Sequence, residues 1–594
     1  MSVHGAVSFS GAIGDPVPRW VPPSMLTVLF AVLATWSWGR WADPIVDFGN
    51  EPYLSWQILE GRALYRDLAS LPGPLSPWVN ALCFALFGPS LATLAVCNLV
   101  LAAGLATIVY RFCAACEDRL TATAATTVLL VGFVFAHHAE DAANYNFVWP
   151  YTYAATHGTV LLLCGVVVLS RAVAHDRVLA WGTAGLLLAT TVLTKSEIAA
   201  AAALTGAVAV LWRAADGRAH WFRGPLVLLA ATIVPLAVCW ILLGSEALLA
   251  PWAAVARVVG GEHDFFTRLM GTDDLRGNAY RLAIDATLWS VVAAAIIAAD
   301  LFGAGMSGER RRWLVITAVG VIGTLIVRDL PGVGRPLPVL VPIAGGALSW
   351  IARRRPHDRN RFVPHVLWAA AAWALLGRML LNIHFHHYGF YLAMPAAVLV
   401  VILGVGTLPR LLAERTPPRG GLVRPVALAT VGLLLVYSIG LSAAAYGHMT
   451  VSVGRERDAM LGPSPNVSPT GVLASELEER IVARVPSDAT LAILPQGTLL
   501  NFLTRRPNPT PYHDLMPPIF AIYGSERVLA AYDARPPQYV ILVAWSGEEY
   551  GVGTFGSPGW GSELVNWVER RYEQIESRPS TPTVVGFSIW QRRD

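Results

Sequence analysis

Apolar runs recur along most of the chain, and the polar segments between them are of two alternating kinds. A bilayer core of about 30 Å needs roughly 20 apolar residues at 1.5 Å rise each. Thirteen runs near that length are read at 23–40, 91–110, 121–137, 158–172, 178–194, 197–213, 224–243, 283–303, 313–327, 337–352, 363–381, 388–407 and 425–446. The stretch 74–88 is apolar but short and opens with Pro74 and Pro77, which predicts an interfacial helix and not a span. Every second polar segment carries arginine: Arg111 and Arg119, then Arg171 and Arg177, then Arg213, Arg218 and Arg223. Arg310 to Arg312, the run Arg353 to Arg361, and Arg410 to Arg424 complete the set. The positive-inside rule places these segments in the cytoplasm. Thirteen spans then put the segment 41–90 and everything after 450 on the outer side, whereas counting 74–88 as a span would reverse the pattern.

Composition narrows the class further. Of 594 residues, 55% are hydrophobic and 14% charged, and mean hydropathy is +0.51. Soluble domains carry roughly 25% charged residues, so an ordinary cytosolic enzyme, a disordered regulator and a secreted disulfide scaffold are excluded. A net charge of +4 gives no nucleic-acid footprint. All 44 basic residues except Lys195 are arginine. No glycine loop precedes Lys195, so there is no Walker A motif and no sign of ATP-driven transport. The six cysteines lie in or beside apolar runs, and the CxxC formed by Cys113 and Cys116 has no second pair. No basic segment or small-residue cleavage site marks a cleaved leader.

Past residue 450 the pattern changes. The expected layout is a membrane domain over 1–449, a Pro-rich linker over 450–469, and a small α/β domain over 470–594. Within that domain, helices are predicted at 471–485, 525–533 and 562–572, and strands at 491–494, 539–543 and 586–591. A turn-rich stretch over 504–518 and a Gly-rich loop over 551–561 lie between them. The fold class is therefore a multi-span α-helical membrane protein with a C-terminal α/β domain on the outer, extracytoplasmic side.

Ionisable and aromatic residues concentrate in the outer segments. Asp47 and Glu51 stand four apart in the first outer loop and would share a face of a helix. A carboxylate just outside the bilayer is partly shielded, which moves its pKa toward working pH and makes it a usable base; a solvated loop with a helix-capping Asp explains the same residues. The stretch His137 to Gly158 mixes Asn144, Tyr145, Asn146, Tyr151 and His157, a set that suits a sugar or its acceptor and equally an aromatic belt at the interface. Lys195 beside Glu197 reads as a phosphate-binding cation or a simple ion pair. His387 and Tyr388 begin a later span, and Arg328 and Arg378 lie at the same level. No DxD or HExxH pattern is present, so the sequence requires no cofactor and gives a divalent metal no support.

The first loop also carries a resemblance. Asp47, Gly61, Leu64-Tyr65-Arg66-Asp67 and Pro74-Leu75 running into Asn80 to Gly88 resemble the GT-C superfamily of polyprenyl-phosphate-sugar glycosyltransferases. The nearest look is to family 39-like bacterial members, related to lipid A aminoarabinose transferases and protein O-mannosyltransferases. The segments Asn144 to Gly158 and Leu193 to Glu197 look like that family's second outer loop and the following junction. The resemblance implies inverting transfer of a sugar from a polyprenyl-phosphate donor to an acceptor hydroxyl of a cell-envelope glycan, lipid or protein. It implies Asp47 as the base, with Glu51 as the second candidate. Lys195 with Arg378 or Arg328 would hold the phosphate, and Asn144, Tyr145, Asn146, Tyr151, His157, His387 and Tyr388 would surround sugar or acceptor. A secondary transporter or flippase is the competing class. Its charges are expected near mid-bilayer and its halves to repeat, and neither is evident here.

Overall fold

A computed structural model of the chain describes residues 18–40, 42–138, 146–215, 220–260, 264–303, 306–414, 421–581 and 584–593. Among these, nine helices are long and apolar enough to cross a membrane: Leu91–Cys116, Tyr153–His175, Ser196–Ala214, Arg223–Ser245, Thr267–Phe302, Pro331–Arg354, Pro356–Met379, Phe390–Ala413 and Val423–Gly447. Helices also cover the other expected runs. Val21–Ser37, Arg119–Val134 and Val178–Leu193 are shorter, and Gly308–Arg328 carries charge at both ends. The 74–88 stretch forms the helix Leu75–Phe87, whose Leu82, Leu86 and Phe87 stay exposed.

The two kinds of polar segment separate to opposite ends of the bundle. At one end the arginine-rich segments hold one another. Arg213 and Asp176 form an ion pair, Arg359 donates to the Trp212 carbonyl (2.7 Å), and Asn360 to that of Ala174 (3.3 Å). Arg355 and Arg361 share Glu414 (2.6 and 3.3 Å), and Arg424 pairs with Asp118. At the other end lie the first loop, the segment 146–157, Lys195, and residues 378–389.

The C-terminal region packs on that second end. Its first part, expected to be a linker, is instead a hairpin of β1 (Met449–Val453) and β2 (Met460–Pro463). Leu461 N–H donates to the Gly39 carbonyl (2.7 Å), and Leu91 N–H to the Asp458 carboxylate (2.8 Å). The backbone groups of this segment pair with each other in the hairpin, and Leu461 and Asp458 tie it to the membrane domain, which is why it does not behave as a free linker. Beyond it, β3 (Leu491–Leu494), β4 (Tyr539–Val543), β5 (Tyr572–Arg578) and β6 (Phe587–Arg592) form one sheet in the order β3-β4-β6-β5. Only the β3–β4 pair is parallel. The polar strand β5 and the short helices Thr498–Thr504 and Pro517–Tyr523 escape the sequence reading, because none has a clear apolar period. One apolar core runs from Tyr53 and Trp56 in the first loop through to Leu473, Leu477, Leu499 and Ile541 in this domain. A second, around Tyr532, Val540, Trp560 and Trp567, is built within the domain, with Ala69 of the first loop packed against it.

Candidate active site

The first loop owes its shape to short-range polar contacts. The Asp43 carboxylate accepts the N–H groups of Ile45 and Val46 (both 2.8 Å), a side chain folding its own backbone into a turn. Its other oxygen accepts the Thr470 hydroxyl, which ties the turn to the C-terminal domain. Asp47 closes the turn with φ of 54°, in the left-handed region that Asp tolerates better than most residues. The helix Asn50–Leu59 follows. At Gly49 a Cβ would fall 2.0 Å from the Leu499 nitrogen, so only glycine permits this approach of the two domains. Asn50 donates to Asp514 (2.8 Å), and the Tyr53 hydroxyl accepts the Asn508 N–H (2.9 Å).

Asp47 therefore lies between membrane domain and C-terminal domain. Gln496, just beyond β3, donates to it (3.3 Å). Burial lifts its carboxyl to about 7, aided by the nearby negative charges of Asp514, Glu549 and Asp43 and opposed by the Gln496 hydrogen bond. Glu51 is deeper. One oxygen accepts the Tyr153 N–H (3.1 Å) and so caps the N-terminus of the helix Tyr153–His175, which has no side-chain cap of its own. The other oxygen is buried and accepts no hydrogen bond among the described residues. Burial raises this carboxyl to about 7 as well, against the backbone hydrogen bond from Tyr153, the positive charge of Lys195, and the nearby Ala154 N–H and Thr152 hydroxyl.

Lys195 is brought to the same place by the second half of the first loop. Gly73 N–H donates to the Thr194 carbonyl (2.7 Å), and a Cβ at Gly73 would sit 2.3 Å from the Leu193 carbonyl oxygen. The Lys195 ammonium pairs with Glu197 (3.2 Å), contacts the Tyr391 hydroxyl (3.5 Å) and lies 5.7 Å from the centre of the Tyr151 ring. Burial pulls its pKa down, and the Glu197 carboxylate resists that; Asp47 is near enough to act in the same direction as Glu197. Arg378 reaches Glu197 from the other side (3.5 Å) and donates to the Tyr388 hydroxyl (Nε, 3.1 Å). Tyr388 in turn lies against Tyr151, with ring centres 5.8 Å apart. Two cations and three tyrosines thus gather around Glu197, and the carboxylates of Asp47 and Glu51 lie within electrostatic reach of Lys195.

The remaining expected residues divide. Arg328 sits elsewhere, paired with Asp285 (3.5 Å) in a cluster completed by Arg335 and Asp329. Asn146 shapes the backbone, accepting the N–H groups of Val148 (2.9 Å) and Trp149 (2.7 Å). His157 Nδ1 is bonded to the Ser76 hydroxyl (2.9 Å), joining the helix Leu75–Phe87 to its neighbour. His387 donates from Nε2 to the Leu269 carbonyl (3.0 Å) and accepts the Gly389 N–H at Nδ1 (2.8 Å), so both ring nitrogens are engaged. Asn144 and Tyr145 lie outside the described residues. The sequence reading did not place Tyr391, Gln496, Asp514 or Glu549 near Asp47. Two of them had a signal: Gln496 and Glu549 follow the parallel strands β3 and β4, and the carboxyl ends of parallel strands are where α/β sheets place binding groups. Among the described residues no group of three His, Cys, Asp or Glu side chains is arranged to hold a metal ion.

No protein-family model and no curated protein matches the chain. Among solved structures, ArnT from Cupriavidus metallidurans bound to undecaprenyl phosphate is similar at 12% identity and a TM-score of 0.45, over 96% of this chain and 98% of that one. The oligosaccharyltransferase of Archaeoglobus fulgidus in its apo form is similar at 13% identity and a TM-score of 0.44, over 88% of this chain and 69% of that one.

Proposed function

We propose that the chain is a GT-C-type glycosyltransferase with thirteen spans, working at the extracytoplasmic face of the membrane. It moves a sugar from a polyprenyl-phosphate donor to an acceptor hydroxyl of the cell envelope. The observation that carries this reading is that Asp47 and Glu51 lie within electrostatic reach of Lys195, which shares Glu197 with Arg378, at the end of the bundle away from the arginine-rich segments. A site of this make-up fits group transfer between a phosphate and a hydroxyl: carboxylates to take a proton, cations to meet a phosphate, and the membrane delivering the donor.

In the reaction, the acceptor oxygen attacks the anomeric carbon and forms the new glycosidic bond. The bond from that carbon to the phosphate oxygen breaks, and the lipid phosphate leaves with the electron pair. Asp47 takes the hydroxyl proton. A pKa near 7 suits that task, because half of the carboxyl is already ionised at neutral pH. Glu51 caps the helix beside the site and offers its unbonded oxygen as the second acid. Lys195 and Arg378 stabilise the charge that develops on the departing phosphate, and Glu197 holds the two cations side by side until it arrives. Direct attack by the acceptor in a single displacement implies inversion at the anomeric carbon. Tyr151 and Tyr388 border the site as contacts for sugar or acceptor.

Purified protein in liposomes, given a panel of radiolabelled polyprenyl-phosphate sugars and envelope acceptors, tests this reading. Label is expected to move to an acceptor with wild type and to stay on the lipid with Asp47→Asn. Equal transfer by a correctly inserted Asp47→Asn protein would remove the assignment.

A further inference from the structure

The C-terminal domain holds a cavity that the donor chemistry does not use. It has a volume of about 350 Å³ and lies where that domain meets the short helix Asp264–Met270 of the membrane domain. Ligand sites of roughly 300–1,000 Å³ favour such domain boundaries. Its walls include the rings of Phe265, Phe520, Tyr550 and Trp560, with Ser562 and Glu563 at the rim. The rings are held in place. Trp560 donates from Nε1 to the Leu515 carbonyl (2.8 Å) and meets Phe555 edge-on, and Phe265 lies against Tyr550 with ring centres 4.5 Å apart. Gly559 and Gly561 have positive φ (91° and 76°); the Cβ position at Gly559 is open space, and at Gly561 a Cβ would run into the Phe555 ring.

The cavity lies near the site already described. Tyr550 forms part of its wall and also lies within electrostatic reach of Asp47, Asp514 and Tyr388. Glu549, the neighbour of Tyr550, acts on Asp47 and accepts from Arg268 through its backbone carbonyl (2.6 Å). A molecule seated against Tyr550 is therefore within electrostatic reach of the base. Rigid flat rings suit the C–H face of a sugar, and hydroxyls and a carboxylate suit its hydroxyl rim. An acyl chain would need a longer groove without charge.

We infer that this cavity is an acceptor subsite for one or two sugar rings, so that the acceptor is a glycan. As an acceptor subsite it rests on the glycosyltransferase reading. As a saccharide-binding site it stands on the cavity alone.

Calorimetric titration of the full-length protein in nanodiscs tests it with maltose, cellobiose, chitobiose, their trimers, and a Ser/Thr-containing hexapeptide. Ala521→Trp fills the cavity from an exposed position on its wall, and Ala530→Trp, exposed and outside it, controls for the added ring. At least one saccharide is expected to bind, at least ten-fold more weakly in Ala521→Trp, about three-fold more weakly in Glu563→Gln, and equally in Ala530→Trp. Absence of saccharide binding, binding indifferent to Ala521→Trp, or capture of the peptide alone would overturn the inference. Donor binding is read separately, as the thermal shift given by undecaprenyl phosphate to wild type. Saccharide binding without a donor shift leaves the cavity assignment standing and removes the glycosyltransferase reading. A donor shift without saccharide binding does the reverse.

Discussion

The bundle carries a buried carboxylate cluster at each end, and the two are built to opposite rules. At the arginine-rich end, Glu117 is saturated. It accepts from His365 (2.9 Å), from the Thr407 hydroxyl (2.7 Å) and from Arg410, with its side chain 2% exposed. At the other end Asp47 has one 3.3 Å contact and Glu51 leaves an oxygen without a hydrogen bond among the described residues. A buried carboxylate whose lone pairs are all taken holds helices together and has nothing to offer a substrate. One left short is costly, because desolvation is not repaid by hydrogen bonds. Such a deficit is retained where a proton or a ligand is to complete it. On the proposed reading, the cluster around Asp47 and Glu51 is the chemical one and the cluster around Glu117 the structural one, although both consist of acids beside arginines.

Substitutions at the two ends should break in different ways. Asp47→Asn is expected to cut transfer by about 10³-fold, within the range for loss of a general base, with little change in melting temperature. Label transfer and thermal unfolding on one preparation check both halves. Glu117→Ala is expected to do the opposite: it strands Arg410 and costs about 3 kcal/mol of stability, seen as a lower melting temperature in detergent, while kcat per folded molecule stays within two-fold. Loss of activity without loss of stability at Glu117 would collapse the distinction.

Smaller effects sharpen it. Glu197→Gln removes the carboxylate between Lys195 and Arg378, and kcat should fall roughly ten-fold, about 1.4 kcal/mol, with the KM for donor changing less. With Asp47 titrating at about 7, lowering the pH protonates the base. The ionised fraction then falls about ten-fold from pH 8 to pH 6, and kcat/KM should follow it. Gln496 holds the Asp47 pKa down, so Gln496→Leu should move that acidic limb to higher pH by a few tenths of a unit; an unmoved or lowered limb would exclude Asp47 as its source.

Much of this was legible in the sequence, and the reasons differ by residue. The alternation of arginine-rich and acid-rich segments follows from insertion physics and needs no tertiary information. It anticipated that 111–119, 353–361 and 410–424 would gather at one end. Strands β3 and β4 announced themselves as apolar runs, whereas β5, with the sequence Tyr-Glu-Gln-Ile-Glu-Ser-Arg, is polar and pairs only because β6 presents an edge. In the site, Asp47, Glu51, Lys195, Arg378, Tyr151 and Tyr388 stood out because acids, amides and aromatics concentrate in the segments that lack the arginine clusters. His157 and His387 stood out equally, yet both are engaged in packing helices. A histidine's chemistry is visible in a sequence and its hydrogen-bond partners are not.

What the chain determines by itself is periodic or compositional: where the apolar runs lie, which segments share a side, and which few residues carry charge near the outer edge. Hydrophobic transfer and the cost of moving arginine across a bilayer act locally, so they can be read locally. Only the tertiary structure decided that residues 450–469 would be a docked hairpin, that Gln496, Asp514 and Glu549 would surround Asp47 from more than 400 positions away, and that Arg328 would pair with Asp285 instead of joining Lys195. Those outcomes turn on which surfaces meet once the loops close, and on which buried oxygens are left without partners when they do.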